Sequence, residues 1–308
     1  MLKLVLGTSG SGKTTLLYAR IRARAEAGKL VPEQFTSSTE ARIYRELGDA
    51  LSGMVESYSF TSLAEHILAV EGGAAVQTLT DAGRAVLVRR ALEELQDNVH
   101  YYYRHRRSAA FCQMAAETID ELKSAGLSGQ QLQELARDCG TESAKLGELA
   151  LIFQGYESLL AGTGMDPADR LELAADRLEA ALARDELPDF LREREVFIDE
   201  FDTFNAPKKR LMGAMLAALP AVTVALCEDG APMQPGDLEL FSGAKQVAAQ
   251  LRQLARKNGA QVAAPELLRR DLRHKDAPGL AALTELLETG SCTPPESAPD
   301  LRLFAAAS

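Results

Sequence analysis

Residues 2–15 read L-K-L-V-L-G-T-S-G-S-G-K-T-T. The largely apolar stretch Leu2–Leu6 predicts a strand, and the pattern G-x-x-x-x-G-K-T that follows it is a P-loop. Glycines in such a loop let successive backbone N–H groups turn towards a phosphate, and the positive end of the next helix points at the same anion. The predicted phosphate-binding residues are Gly7, Thr8, Ser9, Gly10, Ser11, Gly12, Lys13, Thr14 and Thr15.

Two side chains of this loop have distinct predicted roles. Lys13 is expected to reach the β and γ phosphates, and the Thr14 hydroxyl is expected to bind Mg²⁺. The alternative is a chance glycine-rich turn. It is disfavoured because strand, loop, lysine, hydroxyl and helix occur in the required order. The sequence therefore predicts ATP and Mg²⁺ as the bound cofactors.

The composition excludes several classes of protein. The net charge is −10 and the sequence pI is about 5.1, so a broadly basic nucleic-acid-binding surface is excluded and any such site must be local. Four cysteines and four histidines are dispersed without a C-x-x-C pair, which argues against structural zinc. Free thiols suggest a reducing cytoplasm. We expect no signal peptide, because the chain begins with a strand, and no membrane-spanning segment.

The alternation of strands and helices at both ends of the chain predicts an α/β fold with a parallel sheet. Between these ends the pattern is helical almost throughout. The predicted organisation is one P-loop domain formed by residues 1–61 and 190–308, with an all-helical inserted subdomain formed by residues 62–189. Asp166 and Pro167 predict a helix start inside the insertion, with Asp166 as the N-cap.

Several elements of the sheet domain have predicted bounds. The second strand is short, because only Lys29–Val31 precede Pro32, and proline is expected to end it. The other predicted strands are Met54–Phe60, Glu195–Asp199, Val222–Cys227 and Leu301–Phe304. The predicted helices among the later strands are Lys208–Ala218 and Glu239–Asn258.

A second nucleotide motif follows one of these strands, at Val196–Asp202. In P-loop enzymes an aspartate at the carboxyl end of a strand binds Mg²⁺, and a following glutamate orients the attacking water. These roles are predicted for Asp199 and Glu200, with Glu200 as the catalytic base. The alternative is an ordinary strand followed by an acidic turn. The preceding P-loop favours the nucleotide role.

Two other segments are candidates for contact with nucleic-acid phosphate. Leu30–Glu40 either begins a helix and nothing more, or places backbone and hydroxyl groups against phosphate. Asn98–Arg107 mixes three tyrosines with Arg104, Arg106 and Arg107, a mixture that can stack bases and neutralise phosphates. The alternative for this second segment is a solvated loop whose tyrosines pack on neighbouring residues.

Five motifs occur after the P-loop in the order seen in one known family. They are Leu30–Phe35 (L-V-P-E-Q-F), Ser57–Phe60, Glu121–Lys123, Met165–Asp169 and Phe197–Phe201 (F-I-D-E-F). With the N-terminal P-loop, they make the chain similar to the N-terminal region of the AddB family, whose members are one of the two subunits of bacterial AddAB helicase–nucleases.

The resemblance implies a RecA-like P-loop lobe with a helical insertion. It implies an AddA-type helicase and nuclease subunit as the heterodimeric partner, and DNA as the substrate, in resection of double-strand breaks for recombinational repair. No membrane partner is implied. The family's nuclease and iron–sulfur cluster lie beyond Ser308, so no cluster is expected here. Where many relatives have glycine after the aspartate, this chain has Glu200, which is more typical of an active ATPase.

Two other functions remain open from the sequence. One is a stand-alone P-loop kinase or phosphotransferase in which the helical insertion acts as a lid. The other is a catalytically inactive scaffold that binds nucleotide for stability and docks a motor subunit. A helicase lobe needs a second lobe to supply an arginine to the γ-phosphate, so we expect little ATPase activity and no nuclease activity from this chain alone.

Overall fold

The computed structural model describes residues 1–26, 31–34, 39–73, 77–199, 204–232 and 240–302. Its strands are β1 (Leu2–Gly7), β2 (Val31–Gln34), β3 (Val55–Ser57), β4 (Glu195–Ile198), β5 (Ala221–Cys227) and β6 (Glu266–Leu268). They form one parallel sheet in the order β3-β2-β4-β5-β1-β6. The predicted α/β class with a parallel sheet is confirmed.

Helices account for most of the remaining described residues. They are α1 (Lys13–Glu26), α2 (Thr39–Leu47), α3 (Asp49–Ser52), α4 (Phe60–Glu71), α5 (Asp81–Glu94), α6 (Ala109–Ser124), α7 (Gly129–Ala136), α8 (Ser143–Leu160), α9 (Pro167–Ala183), α10 (Ala206–Ala218), α11 (Ser242–Lys257) and α12 (Pro278–Thr289). From the sequence, Gly28 is expected to be the C-cap of the helix that follows the P-loop, and Ser37 or Ser38 is expected to cap the helix within Leu30–Glu40. All three residues lie outside the described residues.

The chain divides into two compact units. The first contains residues 1–58, 190–203 and 219–308, and the second contains residues 59–189 and 204–218. Helix α10 therefore groups with the helical unit, although it lies between two strands of the sheet in sequence. The division into a P-loop domain of residues 1–61 and 190–308 and an insertion of residues 62–189 stays a prediction.

The core of the first unit explains why β1 reads as an apolar run. A strand of a parallel sheet is covered on both faces, so alternation of polar and apolar residues is lost. Val5 on β1 is fully buried and packs with Leu17 and Ile21 of α1 and with Phe197 of β4. This packing fixes the end of β1, and with it the start of the P-loop, against the first helix.

The described part of the second unit, residues 59–73, 77–189 and 204–218, contains helices and only one isolated β-bridge, between Thr78 and Met165. Serine or threonine side chains accept a hydrogen bond from the first turn of four of these helices, as N-caps do. These caps are Ser59 of α4, Thr80 of α5, Ser108 of α6 and Ser128 of α7. The core of this unit surrounds Phe153 and Tyr156 of α8.

The predicted helix start at Asp166 and Pro167 is confirmed, and it carries a buried polar network. Asp166 is 1% exposed, and its carboxylate accepts hydrogen bonds from the Tyr156 hydroxyl at 2.7 Å and the Lys123 ammonium at 2.9 Å. Lys123 also donates to Asp169 at 2.9 Å. Two motifs that are distant in sequence thus meet in one ion-paired cluster.

Three predictions about the sheet need correction. Strand β2 is not ended by Pro32 but continues to Gln34, where it pairs with β4, because the loss of one N–H donor leaves its neighbours able to pair. The strand Met54–Phe60 is shorter, since Ser59 caps α4. Leu301 and Arg302 form no strand, and the rest of that predicted strand lies outside the described residues. The edge next to β1 is occupied instead by β6.

Candidate nucleotide site

The P-loop connects the end of β1 to the start of α1, as predicted. Gly7 is the last residue of β1, and Lys13 is the first residue of α1. Gly10 and Gly12 have φ angles of +83° and +90°, which place them in the left-handed region that residues with a Cβ rarely adopt. The glycine spacing of the motif is therefore a requirement of the main chain at these two positions.

Lys13 lies within the loop, and its ammonium binds the loop's own carbonyl groups. Nζ donates to the Gly7 oxygen at 2.7 Å and to the Thr8 oxygen at 2.8 Å. An ammonium has three N–H donors, so these two bonds leave one for an incoming anion. The side chain is thus held at the loop rather than extended into solvent.

The surroundings of Lys13 lower its pKa. Burial is the main cause, because it disfavours the charged form, and the neighbouring Asp199 carboxylate offsets only part of the effect. A bound phosphate would favour the charged ammonium in the same way as Asp199 does. Binding of a phosphate beside Lys13 would therefore raise its pKa.

Thr14 and Asp199 come together although 185 positions separate them. The Thr14 hydroxyl donates a hydrogen bond to the Asp199 carboxylate, and Asp199 is buried at the carboxyl end of β4. A hydroxyl and a carboxylate are oxygen ligands of the kind that Mg²⁺ prefers. The other acidic residue predicted for this site, Glu200, lies outside the described residues, so its role as a catalytic base stays a prediction.

Two further observations fit a phosphate at this loop. Ser11 is 4% exposed, and its hydroxyl has no hydrogen-bond partner among the described residues. The first turn of α1 contains no acidic residue of its own, and the carboxylate that reaches it, from Asp199, comes from the carboxyl end of β4. The positive end of that helix also attracts an anion. A phosphate at this loop would give the buried Ser11 hydroxyl a partner and would lie at the positive end of α1.

A segment that sequence reasoning missed packs against the P-loop. The backbone N–H of Leu272 donates to the Gly10 oxygen at 2.9 Å, and the Arg273 guanidinium donates to the Ser9 hydroxyl at 3.1 Å. A Cβ on Gly10 would lie 2.8 Å from the Cβ of Arg273. Arg273 thus places a second cation beside the P-loop. In sequence, it lies 264 positions after Ser9.

A second acidic pair follows β5, in the position that Asp199 and Glu200 take after β4. Glu228 is 4% exposed, and burial raises the pKa of its carboxyl. Asp229 pairs with the buried Lys245 ammonium at 3.0 Å. The signal that could have found this pair is the rule that polar residues follow the strands of a parallel sheet.

The tyrosines of the basic segment Asn98–Arg107 make contacts within the helical unit. The Tyr101 ring lies 5.4 Å from the Arg104 guanidinium and 5.4 Å from the Lys145 ammonium. Tyr102 stacks on Phe111 with ring centroids 5.6 Å apart. These contacts favour the packing interpretation of the aromatic rings over base stacking.

One carboxylate on α8 organises this basic segment. Glu148 accepts hydrogen bonds from the backbone N–H groups of His100, Tyr101 and Tyr102 at 2.9, 2.8 and 3.1 Å. Burial alone would raise the pKa of the Glu148 carboxyl, but these donors hold it below its usual range. The path of the segment therefore depends on a charge 46 to 48 positions further along the chain.

Replacing Glu148 by glutamine should lower the stability of the helical unit by about 1 kcal/mol at neutral pH, because a charged acceptor is lost. A lowered carboxyl pKa contributes stability above the unfolded-state pKa and loses it as pH falls through the folded-state pKa. The difference between variant and wild type should therefore vanish in acid. Urea unfolding from pH 7 to pH 3 measures this, with the exposed Glu134→Gln as the control. An acid-independent difference would contradict it.

Two absences concern the described residues only. None of the described helices combines the length and apolar character needed to cross a membrane. Within the same part of the chain, no group of three His, Cys, Asp or Glu side chains is placed to hold a metal ion. All four cysteines are free thiols.

Comparison with known proteins assigns the chain to a family. The sequence profile of the family described as "ADDB, N-terminal" matches residues 4–284. The chain belongs to the AddB N-terminal family. The matched range includes the whole P-loop, Asp199 and Arg273, so the AddB family match contains the candidate nucleotide site.

Individual relatives agree with this assignment. The B component of the ATP-dependent helicase/deoxyribonuclease of Desulforudis audaxviator is 34% identical, over 100% of this chain and 27% of that protein. The protein of the same name from Moorella thermoacetica is 32% identical, over 92% of this chain and 25% of that protein. The protein of the same name from Clostridium perfringens is 28% identical, over 84% of this chain and 22% of that protein. The chain thus spans about a quarter of the length of these relatives.

Proposed function

We propose that this chain is the ATP-binding, helicase-like lobe of the AddB component of an ATP-dependent helicase/deoxyribonuclease. In this proposal residues 1–61 and 190–308 form a RecA-like P-loop domain, and residues 62–189 form its helical insertion. The complete protein acts with an AddA-type helicase and nuclease subunit on DNA, in the cytoplasm, in resection of double-strand breaks and recombinational repair. The family membership and the names of the relatives support it.

The contact between Thr14 and Asp199 is the observation that carries the nucleotide part of the proposal. A glycine loop can occur by chance, and so can an aspartate after a strand. Two chance motifs would not be expected to bring the Thr14 hydroxyl and the Asp199 carboxylate into contact across 185 positions. Bound Mg²⁺ would neutralise phosphate charge, and Thr14 and Asp199 would hold it.

The other groups of the loop have complementary roles in this proposal. The backbone N–H groups from Gly10 to Thr15 surround the phosphates, and the Ser11 hydroxyl gains a partner. Lys13 neutralises phosphate charge with its remaining donor. Arg273 adds a guanidinium beside Ser9, where it can reach a phosphate without contribution from another chain.

Calorimetry of the purified chain with ATP or ADP, with and without Mg²⁺, tests the proposal. Saturable binding at one site is expected, with slow turnover at most. Rapid ATP consumption that requires a small-molecule acceptor would favour the phosphotransferase alternative instead. Binding that stabilises the chain, without turnover in the presence of DNA and the AddA-type subunit, would favour the scaffold. Absence of binding would contradict the nucleotide site itself.

Replacing Asp199 by asparagine should remove most of the gain in affinity that Mg²⁺ gives to ATP, because an amide oxygen is a weaker ligand than a carboxylate. Binding of ATP without Mg²⁺ should change little. The measurement is the ratio of the dissociation constants with and without Mg²⁺. Asp276→Asn is the matched control, since Asp276 lies in the same unit and is exposed. An unchanged ratio in Asp199→Asn would exclude the proposed metal role.

A further inference from the structure

A groove of about 360 Å³ lies between α5 and α6 in the helical unit. Its floor is apolar and includes Ala85, Val86 and Ala109. Val86 is 63% exposed. The floor is thus an accessible apolar surface at the edge of the packed helices.

Three guanidinium groups border this α5–α6 groove, from Arg89, Arg106 and Arg107. Arg89 also pairs with Glu93 on its own helix, and Arg106 lies 4.0 Å above the Tyr103 ring. Arg107 is exposed. The sequence contains no acidic residue from position 98 to position 116. No carboxylate of this segment therefore offsets the positive charge of Arg106 and Arg107.

One carboxylate also lines the groove, from Asp81 at the start of α5. It accepts a hydrogen bond from the Arg84 guanidinium at 2.8 Å, so its charge is already paired within α5. Arg89 is paired in the same way with Glu93, so the positive balance of the groove comes from Arg106 and Arg107.

The first turn of α6 adds to this positive potential. It contains no acidic residue, and its N-cap, Ser108, follows Arg107 directly. The positive end of a helix attracts anions at short range. The groove therefore combines an apolar floor with guanidinium groups and a helix end in a chain whose net charge is −10.

We propose that the α5–α6 groove binds a segment of single-stranded DNA. Phosphates pair with Arg89 and Arg107, which can each offer two parallel N–H donors, while a sugar or base face lies on Val86 and its apolar neighbours. A flexible single strand can turn a base into such a groove, whereas a paired duplex hides its base faces. This inference rests on the proposed function, because it assumes that DNA is the substrate.

The position of the groove also revises the role of the basic segment. The tyrosine rings of Asn98–Arg107 pack within the chain, and Glu148 fixes the backbone that precedes the arginines. In this proposal the segment contributes its arginines and not its rings. Base contact comes from the apolar floor on the neighbouring helix.

Fluorescence anisotropy of a fluorescein-labelled oligo-dT strand, titrated with the 308-residue chain at several salt concentrations, tests the proposal. The double variant R89A/R107A should weaken binding and flatten the log–log salt slope by about 1.4, since each lost phosphate contact on a single strand is worth about 0.7. Val86→Glu should weaken binding through a carboxylate placed in the groove. Both changes are at exposed positions, and circular dichroism verifies the fold.

Matched controls separate the groove from general charge effects. Arg90→Ala removes the same charge one position away on α5, where Arg90 pairs with Glu94 and lies outside the groove. Val70→Glu adds the same charge at a valine that is 55% exposed on another helix of the unit. Both controls should bind oligo-dT within about twofold of wild type, by the usual small effect of isolated surface charges.

Three outcomes would overturn the proposal. Wild-type affinity and slope in R89A/R107A and V86E would place DNA elsewhere while leaving the proposed function intact. Competition by oligo-glutamate as effective as that by unlabelled oligo-dT would identify an acidic peptide as the occupant. Absence of oligo-dT binding by wild type would remove both this inference and the DNA part of the proposed function, and calorimetry with ATP would still report on the nucleotide site.

Discussion

Replacing Lys13 by alanine is expected to weaken binding of ATP by roughly 10- to 100-fold, because a charge-assisted hydrogen bond is worth about 1.5–3 kcal/mol. The lysine is held at the P-loop by the Gly7 and Thr8 carbonyls, so little reorganisation is needed before it meets a phosphate. The loss should be larger for ATP than for AMP, which carries fewer phosphates. Calorimetry with both nucleotides measures the difference.

The same lysine makes nucleotide affinity sensitive to alkali. Burial lowers the pKa of Lys13, so the free protein loses this charge at a lower pH than an exposed lysine would. Affinity for ATP should fall as pH rises into that range, and the Lys13→Ala variant should lack this dependence. Lys257→Ala, at an exposed position in the same unit, is the control. Equal affinities in wild type and Lys13→Ala would show that the loop does not bind the phosphates.

Replacing Asp166 by alanine should destabilise the helical unit by about 3–5 kcal/mol, the usual cost of removing one partner from a buried ion pair. The change leaves the Lys123 ammonium without one of its two carboxylates and the buried Tyr156 hydroxyl without its acceptor. It also removes the N-cap of α9. The chain contains no tryptophan, so far-UV circular dichroism in urea and hydrogen exchange of the α9 amides are the suitable measurements.

The pH dependence of this loss identifies its cause. Burial alone would lower the pKa of Lys123, but its hydrogen bonds to Asp166 and Asp169 raise it overall. A raised lysine pKa contributes stability that is complete at neutral pH and is lost only as pH rises through the folded-state value. The difference between wild type and Asp166→Ala should shrink in alkali. The exposed Asp138→Ala should unfold like wild type, and a similar loss there would indicate a general charge effect.

The parts of the molecule that could be predicted from the sequence are those that depend on neighbouring residues. The P-loop is read from nine consecutive positions, and the location of Asp199 follows from the rule that polar residues collect after parallel strands. The N-cap at Asp166 is likewise local, since aspartate followed by proline favours a helix start.

The parts that were missed depend on contacts between distant residues. Nothing in the sequence near Arg273 indicates that its guanidinium meets Ser9, because that contact is created by the pairing of β6 with β1. Strand β6 itself has only three residues, too few for a periodic pattern to emerge. The prediction that Pro32 ends β2 was wrong because it considered only the N–H donor that proline lacks. The pairing of Glu33 and Gln34 with β4 could not be seen from the sequence. Glu148 has no sequence signal at all, since the N–H groups it binds belong to a segment far from its own helix.

The strand order has a consequence for how the nucleotide site is made during synthesis. Strand β1 pairs only with β5 and β6 among the described strands, so its nearest neighbour in the sheet begins at Ala221. A ribosome that has released the P-loop must translate more than two hundred further residues before β1 acquires a partner. Because each doubling of loop length adds only about 0.6 kcal/mol to the closure cost, the delay is chiefly one of timing. The helical unit, residues 59–189 and 204–218, is translated entirely within that interval, so it can fold before the P-loop is fixed by the pairing of β1 in the sheet.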